Sequence, residues 1–146
     1  VEDEPALASA VKEAFVDAGF VVDRAGDGEE GLARVAENHY DLIVCDLKMP
    51  RVDGIRFYRA MTAATPALAR RVIFVTGDVA GTDAERFLED SGCRWLSKPF
   101  RLGDLLRAAR VIWLARLRRS RIRMHSRRYG VRRGGLSSRL FLLRSP

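Results

Sequence analysis

Residues 41–50 read DLIVCDLKMP, a stretch in which an apolar run ends on an acidic residue and a Pro-containing loop follows. Residues 42–45 contain no polar side chain, which is typical of a β-strand that is covered on both of its faces. Residues 71–76 read RVIFVT and form a second run of this kind, which ends at Thr76. Strands that are buried on both faces belong to parallel sheets with helices packed on each side.

Amphipathic segments alternate with the apolar runs along the chain. Apolar residues at helical spacing predict helices over residues 5–18, 28–38, 55–64, 83–91 and 102–116. Two shorter strands are predicted at residues 20–22 and 95–97. Strands and helices in this alternation predict a doubly wound parallel α/β sheet.

The count of strands is one short of what the acidic residues at the start require. Glu2 and Asp3 stand directly before the first helix with no strand ahead of them, and the chain does not begin with Met. We therefore expect that most of a first strand is missing from this chain. We also expect the fragment to be poorly stable, because the two strands beside the gap lose a hydrogen-bonding partner.

The net charge of +7 is unevenly distributed. Residues 1–104 contain 13 Lys and Arg against 19 Asp and Glu, a net charge of −6, whereas residues 105–146 contain 13 Arg and no acid. We therefore divide the chain into a domain at residues 1–115 and an Arg-rich tail at residues 116–146. The tail is expected to be disordered or not a selected sequence, as a frameshifted GC-rich gene would encode; contact with nucleic acid or anionic lipid is the alternative.

Targeting segments and a disulfide framework are absent from the sequence pattern. No apolar run is long enough to span a membrane, and the start has neither the basic nor the apolar region of a signal peptide. Cys45 and Cys93 lie in or beside apolar runs, which predicts buried thiols in a reduced protein. These features favour a cytoplasmic location.

Several residues that carry chemistry are expected at one edge of the sheet. Asp46 and Thr76 end neighbouring strands, Lys98 follows the last strand, and Glu2 and Asp3 precede the first helix. Ligands bind beyond the carboxyl ends of the strands in such sheets. The three carboxylates repel one another unless a cation neutralises them, and an all-oxygen site suits Mg²⁺.

The chemistry that this arrangement favours is phosphoryl transfer. A carboxylate such as Asp46 can attack a phosphoryl donor and form an aspartyl phosphate. The metal, the Lys98 ammonium and the Thr76 hydroxyl would then hold the equatorial phosphoryl oxygens.

Four motifs together resemble the response-regulator receiver domain, which is CheY-like, over residues 1–115. They are the acidic pair near the start, Asp46 with Met49-Pro50 and Asp53-Gly54, Thr76-Gly77, and Lys98-Pro99-Phe100. The resemblance implies five parallel strands in the flavodoxin-like order 2-1-3-4-5. It also implies a signalling domain, not an enzyme with a separate substrate, in two-component phosphorelay. The phosphoryl group would come from a phosphohistidine of a histidine kinase or phosphotransfer domain.

The resemblance implies a role for individual residues. Asp46 would accept the phosphoryl group, and Thr76 and Lys98 would sense it. Asp3 would bind Mg²⁺ directly and Glu2 through water, with the backbone carbonyl of Lys48 as a further ligand. The Lys98–Pro99 bond would be cis, and Gly77 would leave space for the water that removes the phosphate.

One position departs from the family pattern. The family commonly has Tyr or Phe three residues before the Lys as a rotating switch, and Trp95 stands there instead. We expect Thr76 and Trp95 at the switch positions, with packing of Trp95 on the domain as the alternative. Residues 69–78 and 87–89 are similar to receivers at the carboxyl end of hybrid histidine kinases; a stand-alone receiver is the alternative.

Other functions are open to the same residues. A phosphatase of the haloacid dehalogenase class also forms an aspartyl phosphate, but it needs a second Asp two residues after the nucleophile, where this chain has Lys48. We do not expect nucleic-acid binding through the basic tail; strong salt dependence of binding would indicate it. Flavin binding suits the same sheet order, but no loop at the strand ends is rich in Ser, Thr and Gly.

Overall fold

The computed structural model of the protein describes residues 4–48, 53–77, 82–125 and 138–143. Within these ranges, helices and strands alternate as the apolar pattern predicts. They are α1 (Glu4–Asp17), β1 (Phe20–Ala25), α2 (Gly28–Glu37), β2 (Leu42–Asp46), α3 (Gly54–Ala64), a 3-10 helix (Pro66–Arg70), β3 (Val72–Thr76), α4 (Asp83–Ser91), β4 (Arg94–Ser97), α5 (Leu102–His125) and β5 (Ser138–Leu143).

Polar side chains set the starts of the middle helices. Asp27, Asp53 and Thr82 cap α2, α3 and α4, and each side chain accepts a hydrogen bond from the backbone N–H three residues further on. Such caps satisfy backbone donors that have no partner within the helix. At the other end of α4, Gly92 takes the left-handed conformation with φ of 65°, which a side chain disfavours.

The five strands form one parallel sheet in the order β1-β5-β2-β3-β4. The strand that is last in the described chain lies between β1 and β2. It pairs with all six residues of β1 and, through residues 140–143, with residues 42–45 of β2. The doubly wound parallel fold that the sequence predicts is confirmed.

The structure differs from the sequence-based expectation at the gap and in the tail. The order 2-1-3-4-5 places the first strand, which we expect to be missing, between β1 and β2, and β5 occupies that position. Two unpaired strand edges offer a row of backbone donors and acceptors, and residues 140–143 are an uncharged run that suits a strand covered on both faces.

The boundary that we expect at residue 115 falls inside α5. The helix continues to His125 because Arg and Leu are good helix formers and no Gly or Pro stands between Asp104 and Gly130. The first ten residues of the expected disordered tail, 116–125, are therefore helical. Residues 138–143 of the same tail form β5.

The core consists of two clusters, one on each face of the sheet. Alternate residues of β2 point to opposite faces, so Leu42 and Val44 join one cluster and Ile43 and Cys45 the other. The Leu42 side is covered by α1 and α5, through buried residues such as Phe15 and Leu105. The Ile43 side is covered by α2, α3 and α4.

No helix in the described ranges has the length and apolar character that crossing a membrane requires.

Candidate functional site

Asp46 is the last residue of β2 and its side chain is almost fully buried, with 4% of the residue exposed. Carboxylate oxygen Oδ2 lies 2.7 Å from the ammonium nitrogen Nζ of Lys98. The other oxygen, Oδ1, accepts a hydrogen bond of 3.1 Å from the backbone N–H of Lys48. A buried carboxylate is tolerated when it is paired and hydrogen-bonded in this way.

Lys98 reaches Asp46 from the far side of β3. Its backbone N–H donates a 2.6 Å hydrogen bond to the carbonyl of Thr76, which fixes the chain beyond β4 against the end of β3. Two strand spacings of about 4.8 Å separate β4 from β2, so the lysine stem spans the end of β3. The Lys98–Pro99 bond is cis, the isomer that the family resemblance implies.

Thr76 ends β3 and is fully buried. Its hydroxyl oxygen Oγ1 has no hydrogen-bond partner among the described residues. A buried polar group without a partner costs about 1–3 kcal/mol, and such groups commonly face a ligand or an ion. The hydroxyl therefore has capacity to bind an atom at the carboxyl edge of the sheet.

Gly54 brings the start of α3 against the backbone that carries Asp46. A Cβ atom at this position would lie 2.6 Å from the carbonyl oxygen of Asp46 and 2.8 Å from Cα of Leu47. The backbone N–H of Gly54 donates to the carbonyl of Leu47 at 3.0 Å. The Asp53-Gly54 motif is visible in the sequence, but its spacing does not show that Gly54 lies this close to the backbone of Asp46. At Gly77, in contrast, a Cβ would meet no atom of the described residues within 4 Å.

The expected metal ligands are only partly within the described residues. Glu2 and Asp3 lie outside them. Asp46 and Lys48 lie within, and their carboxylate and carbonyl oxygens are the ligand type that Mg²⁺ prefers. In the described ranges no group of three or more ligand-type side chains is gathered at one place. Helix α1 and strand β1 run in opposite directions, because the short turn at Gly19 joins them. The first turn of α1 therefore lies at the carboxyl edge of the sheet.

Trp95 lies on β4 with 41% of the residue exposed, so it is not part of either core cluster. Its register partner on β3 is Phe74, which is fully buried. The side chain is thus placed at the surface in the first half of β4. Rotation of Trp95 as a switch stays a prediction.

Comparison with known proteins identifies the family. The family model described as response regulator receiver domain matches residues 1–110. The transcriptional regulatory protein DltR of Streptococcus agalactiae is 31% identical over 111 residues, which cover 76% of this chain and 49% of DltR. The sensor histidine kinase RcsC of Escherichia coli is 29% identical over 121 residues, which cover 83% of this chain and 12% of RcsC.

The similarity extends to solved structures. The chemotaxis protein CheY4 of Vibrio cholerae matches with a TM-score of 0.64 at 26% identity, covering 73% of this chain and 89% of that chain. The chain belongs to the response regulator receiver domain family, and it is a receiver domain of two-component signalling. It spans about half the length of DltR and a smaller part of RcsC.

Proposed function

We propose that Asp46 is the phosphoacceptor of this receiver domain. The observation that carries the proposal is the buried Asp46–Lys98 ion pair at the carboxyl edge, beside the unpartnered hydroxyl of Thr76. One charged group and one hydroxyl are thus positioned around a carboxylate before any ligand arrives. Preorganised groups of this kind stabilise developing charge without reorganisation during the reaction.

The proposed reaction transfers a phosphoryl group from a phosphohistidine to Asp46. A carboxylate oxygen of Asp46 forms a bond to phosphorus while the bond between phosphorus and the imidazole nitrogen breaks. The imidazole leaves with the electron pair of that bond, and Lys98 is released from the carboxylate to contact a phosphoryl oxygen. The Thr76 hydroxyl donates a hydrogen bond to another phosphoryl oxygen, which gives the buried hydroxyl the partner it lacks.

We propose that Mg²⁺ is held by Glu2, Asp3, Asp46 and the backbone carbonyl of Lys48. The ion, when bound, supplies positive charge to the phosphoryl oxygens. Asp53 is an unsuitable further ligand in this arrangement, because its carboxylate accepts the hydrogen bond that caps α3.

We propose that the phosphoryl donor is a histidine kinase or a histidine phosphotransfer domain, and that the domain signals in the cytoplasm without turning over a separate substrate. One finding supports the donor and a second supports the cytoplasmic location. The relatives include both a transcriptional regulatory protein and a sensor histidine kinase. The two cysteines in the described structure are both free thiols. Phosphorylation would alter the surface near Thr76 and β4, where Trp95 is exposed.

The test is the intact mass of the full chain after incubation with acetyl phosphate and Mg²⁺. We expect a gain of one phosphoryl group, which is lost in Asp46→Asn and abolished by a chelator. Asp53→Asn is the matched control, because Asp53 is a nearby carboxylate on the same loop and should leave the gain intact. A phosphoryl gain that persists in Asp46→Asn would refute the assignment.

A further inference from the structure

A cleft lies at the edge of the sheet opposite Asp46. Its walls come from the 3-10 helix, the starts of β3 and β4, and the second half of α5, and its volume is about 870 Å³. Arg71 directly precedes β3, whereas Thr76 ends it. Five residues of extended strand, at about 3.3 Å each, place the cleft roughly 15 Å from the phosphoacceptor edge. It is therefore a separate site.

The cleft carries strong positive charge. Five arginines line it, together with His39, and no Asp or Glu is found among the described lining residues. Arg116 pairs with the buried Asp41, and Arg71 donates a 3.0 Å hydrogen bond to the carbonyl of Tyr40. These two arginines are therefore already engaged with the protein.

Three arginines remain available to a ligand. Arg70 on the 3-10 helix, Arg94 at the start of β4 and Arg119 on α5 are exposed, and none has a carboxylate partner within the described part of the chain. They come from three different elements, so their charges converge only because of the fold. Guanidinium groups are the side chains best suited to bidentate contact with phosphate oxygens.

The charge environment inside the cleft supports the same conclusion. Burial lowers the pKa of both Arg71 and Arg116. Burial, followed by the charges of Arg71 and Arg116, lowers the pKa of His39. Burial thus makes the charged forms of these groups less favourable than they are in water, and the negative charge of a bound anion would offset part of that cost.

An apolar wall lies beside the arginines. Val111, Ile112 and Ala115 of α5 line it on one side, and Pro66 and Ala67 of the 3-10 helix on the other. Val111 is 45% exposed, whereas Leu105, Ala108 and Ala109 of the same helix are buried. Ligand sites commonly combine an apolar surface with a few convergent polar groups, in clefts of about 300–1,000 Å³.

We propose that this cleft binds a small molecule that carries two or more phosphate groups and a flat apolar portion, in the class of nucleoside di- and triphosphates. The phosphates would contact Arg70, Arg94 and Arg119, and the apolar portion would lie against Val111 and Ala115. The proposal does not depend on phosphorylation of Asp46.

Calorimetric titration of the full chain with ATP in the absence of Mg²⁺ tests the proposal, with inorganic triphosphate and adenosine as separate arms. We expect saturable one-to-one binding of ATP, weaker binding of triphosphate because it lacks the apolar portion, and no binding of adenosine. Arg94→Ala should weaken ATP binding about tenfold or more, since a charge-assisted hydrogen bond is lost. Arg59→Ala is the matched control, because Arg59 is an exposed arginine on α3, outside the cleft.

Three outcomes overturn the proposal. The first is no saturable binding of ATP at millimolar concentration. The second is an equal loss of affinity in Arg94→Ala and Arg59→Ala, which would indicate a general electrostatic attraction. The third is equal affinity for ATP and inorganic triphosphate, which would leave the apolar wall without a role. The mass gain with acetyl phosphate, measured on Arg94→Ala, should be unchanged and reports that the variant is folded.

Discussion

Replacing Leu142 by Pro tests the most unusual feature of the sheet, the position of β5 between β1 and β2. Leu142 is paired with Arg24 on one side and Val44 on the other. Because β5 has a strand on both sides, the backbone N–H of an interior residue bonds to one of its neighbours. Proline has no N–H, and it is found in sheets only on edge strands or at bulges.

The expected loss of stability has two parts, the lost hydrogen bond and the carbonyl that no longer has a donor. The bond itself contributes about 1 kcal/mol net, and the carbonyl left unsatisfied in the sheet costs about 1–3 kcal/mol more. We therefore expect Leu142→Pro to lower the free energy of unfolding by about 2–4 kcal/mol. Small domains have only about 5–15 kcal/mol in total, so this is a large share of the stability.

Urea unfolding followed by circular dichroism measures the effect. With a denaturant slope of about 2 kcal/mol per molar, the midpoint should fall by about 1–2 M. Leu142→Ala is the control, since it removes most of the side chain but keeps the N–H, and the difference between the two variants isolates the backbone contribution. Equal midpoints for the Pro and Ala variants would show that β5 does not pair within the sheet, and the reasoning would be wrong.

Three further predictions concern single residues. Gly54→Ala should destabilise the protein by about 1–3 kcal/mol and slow phosphorylation of Asp46, because the new Cβ meets two backbone atoms at under 3 Å; unchanged urea unfolding would contradict this. Burial raises the pKa of the Cys45 thiol, so in a Cys93→Ser variant iodoacetamide should react only after urea unfolding; rapid labelling of the native protein would contradict it. His39 should titrate by NMR below the ordinary value of about 6.5, because burial and two arginines disfavour its charged form. Because the pKa of His39 is lower in the folded than in the unfolded state, the free energy of unfolding should rise with pH between these two pKa values. Added salt should raise the measured pKa by screening the charges of the two arginines. A pKa that does not respond to salt would show that these charges are unimportant.

The edge of the sheet that carries Asp46 could be predicted from the sequence because it depends on local patterns. The uncharged runs that end at Asp46 and Thr76 identify two buried strands, and carboxyl ends of parallel strands share one edge. The Lys98–Asp46 contact follows from that rule, and Nζ of Lys98 lies 2.7 Å from Oδ2 of Asp46 in the structure. The unpartnered state of the Thr76 hydroxyl does not follow, because it depends on which neighbours reach it.

The role of residues 138–143 could not be predicted from the sequence. Leu140 to Leu143 form a short apolar run in an Arg-rich stretch, and periodicity cannot distinguish such a run from an isolated patch. Its place is decided by pairing with strands that lie far away in the chain. The basic cleft was not predicted either, because Arg70, Arg94 and Arg119 are scattered in sequence and meet only where the 3-10 helix, the start of β4 and α5 line the same cleft.

The place of β5 has a consequence for how the protein folds as it is synthesised. Phe20 pairs with Ser138, so most of the described chain must leave the ribosome before the middle of the sheet can close. Contacts this distant in sequence slow folding, because the connecting chain loses entropy before the pairing forms. Until then the facing edges of β1 and β2 have no partner strand among the described residues, and such an edge is a template for pairing with another nascent chain. We expect the yield of monomeric protein to depend on how quickly the last strand of the described chain reaches its place.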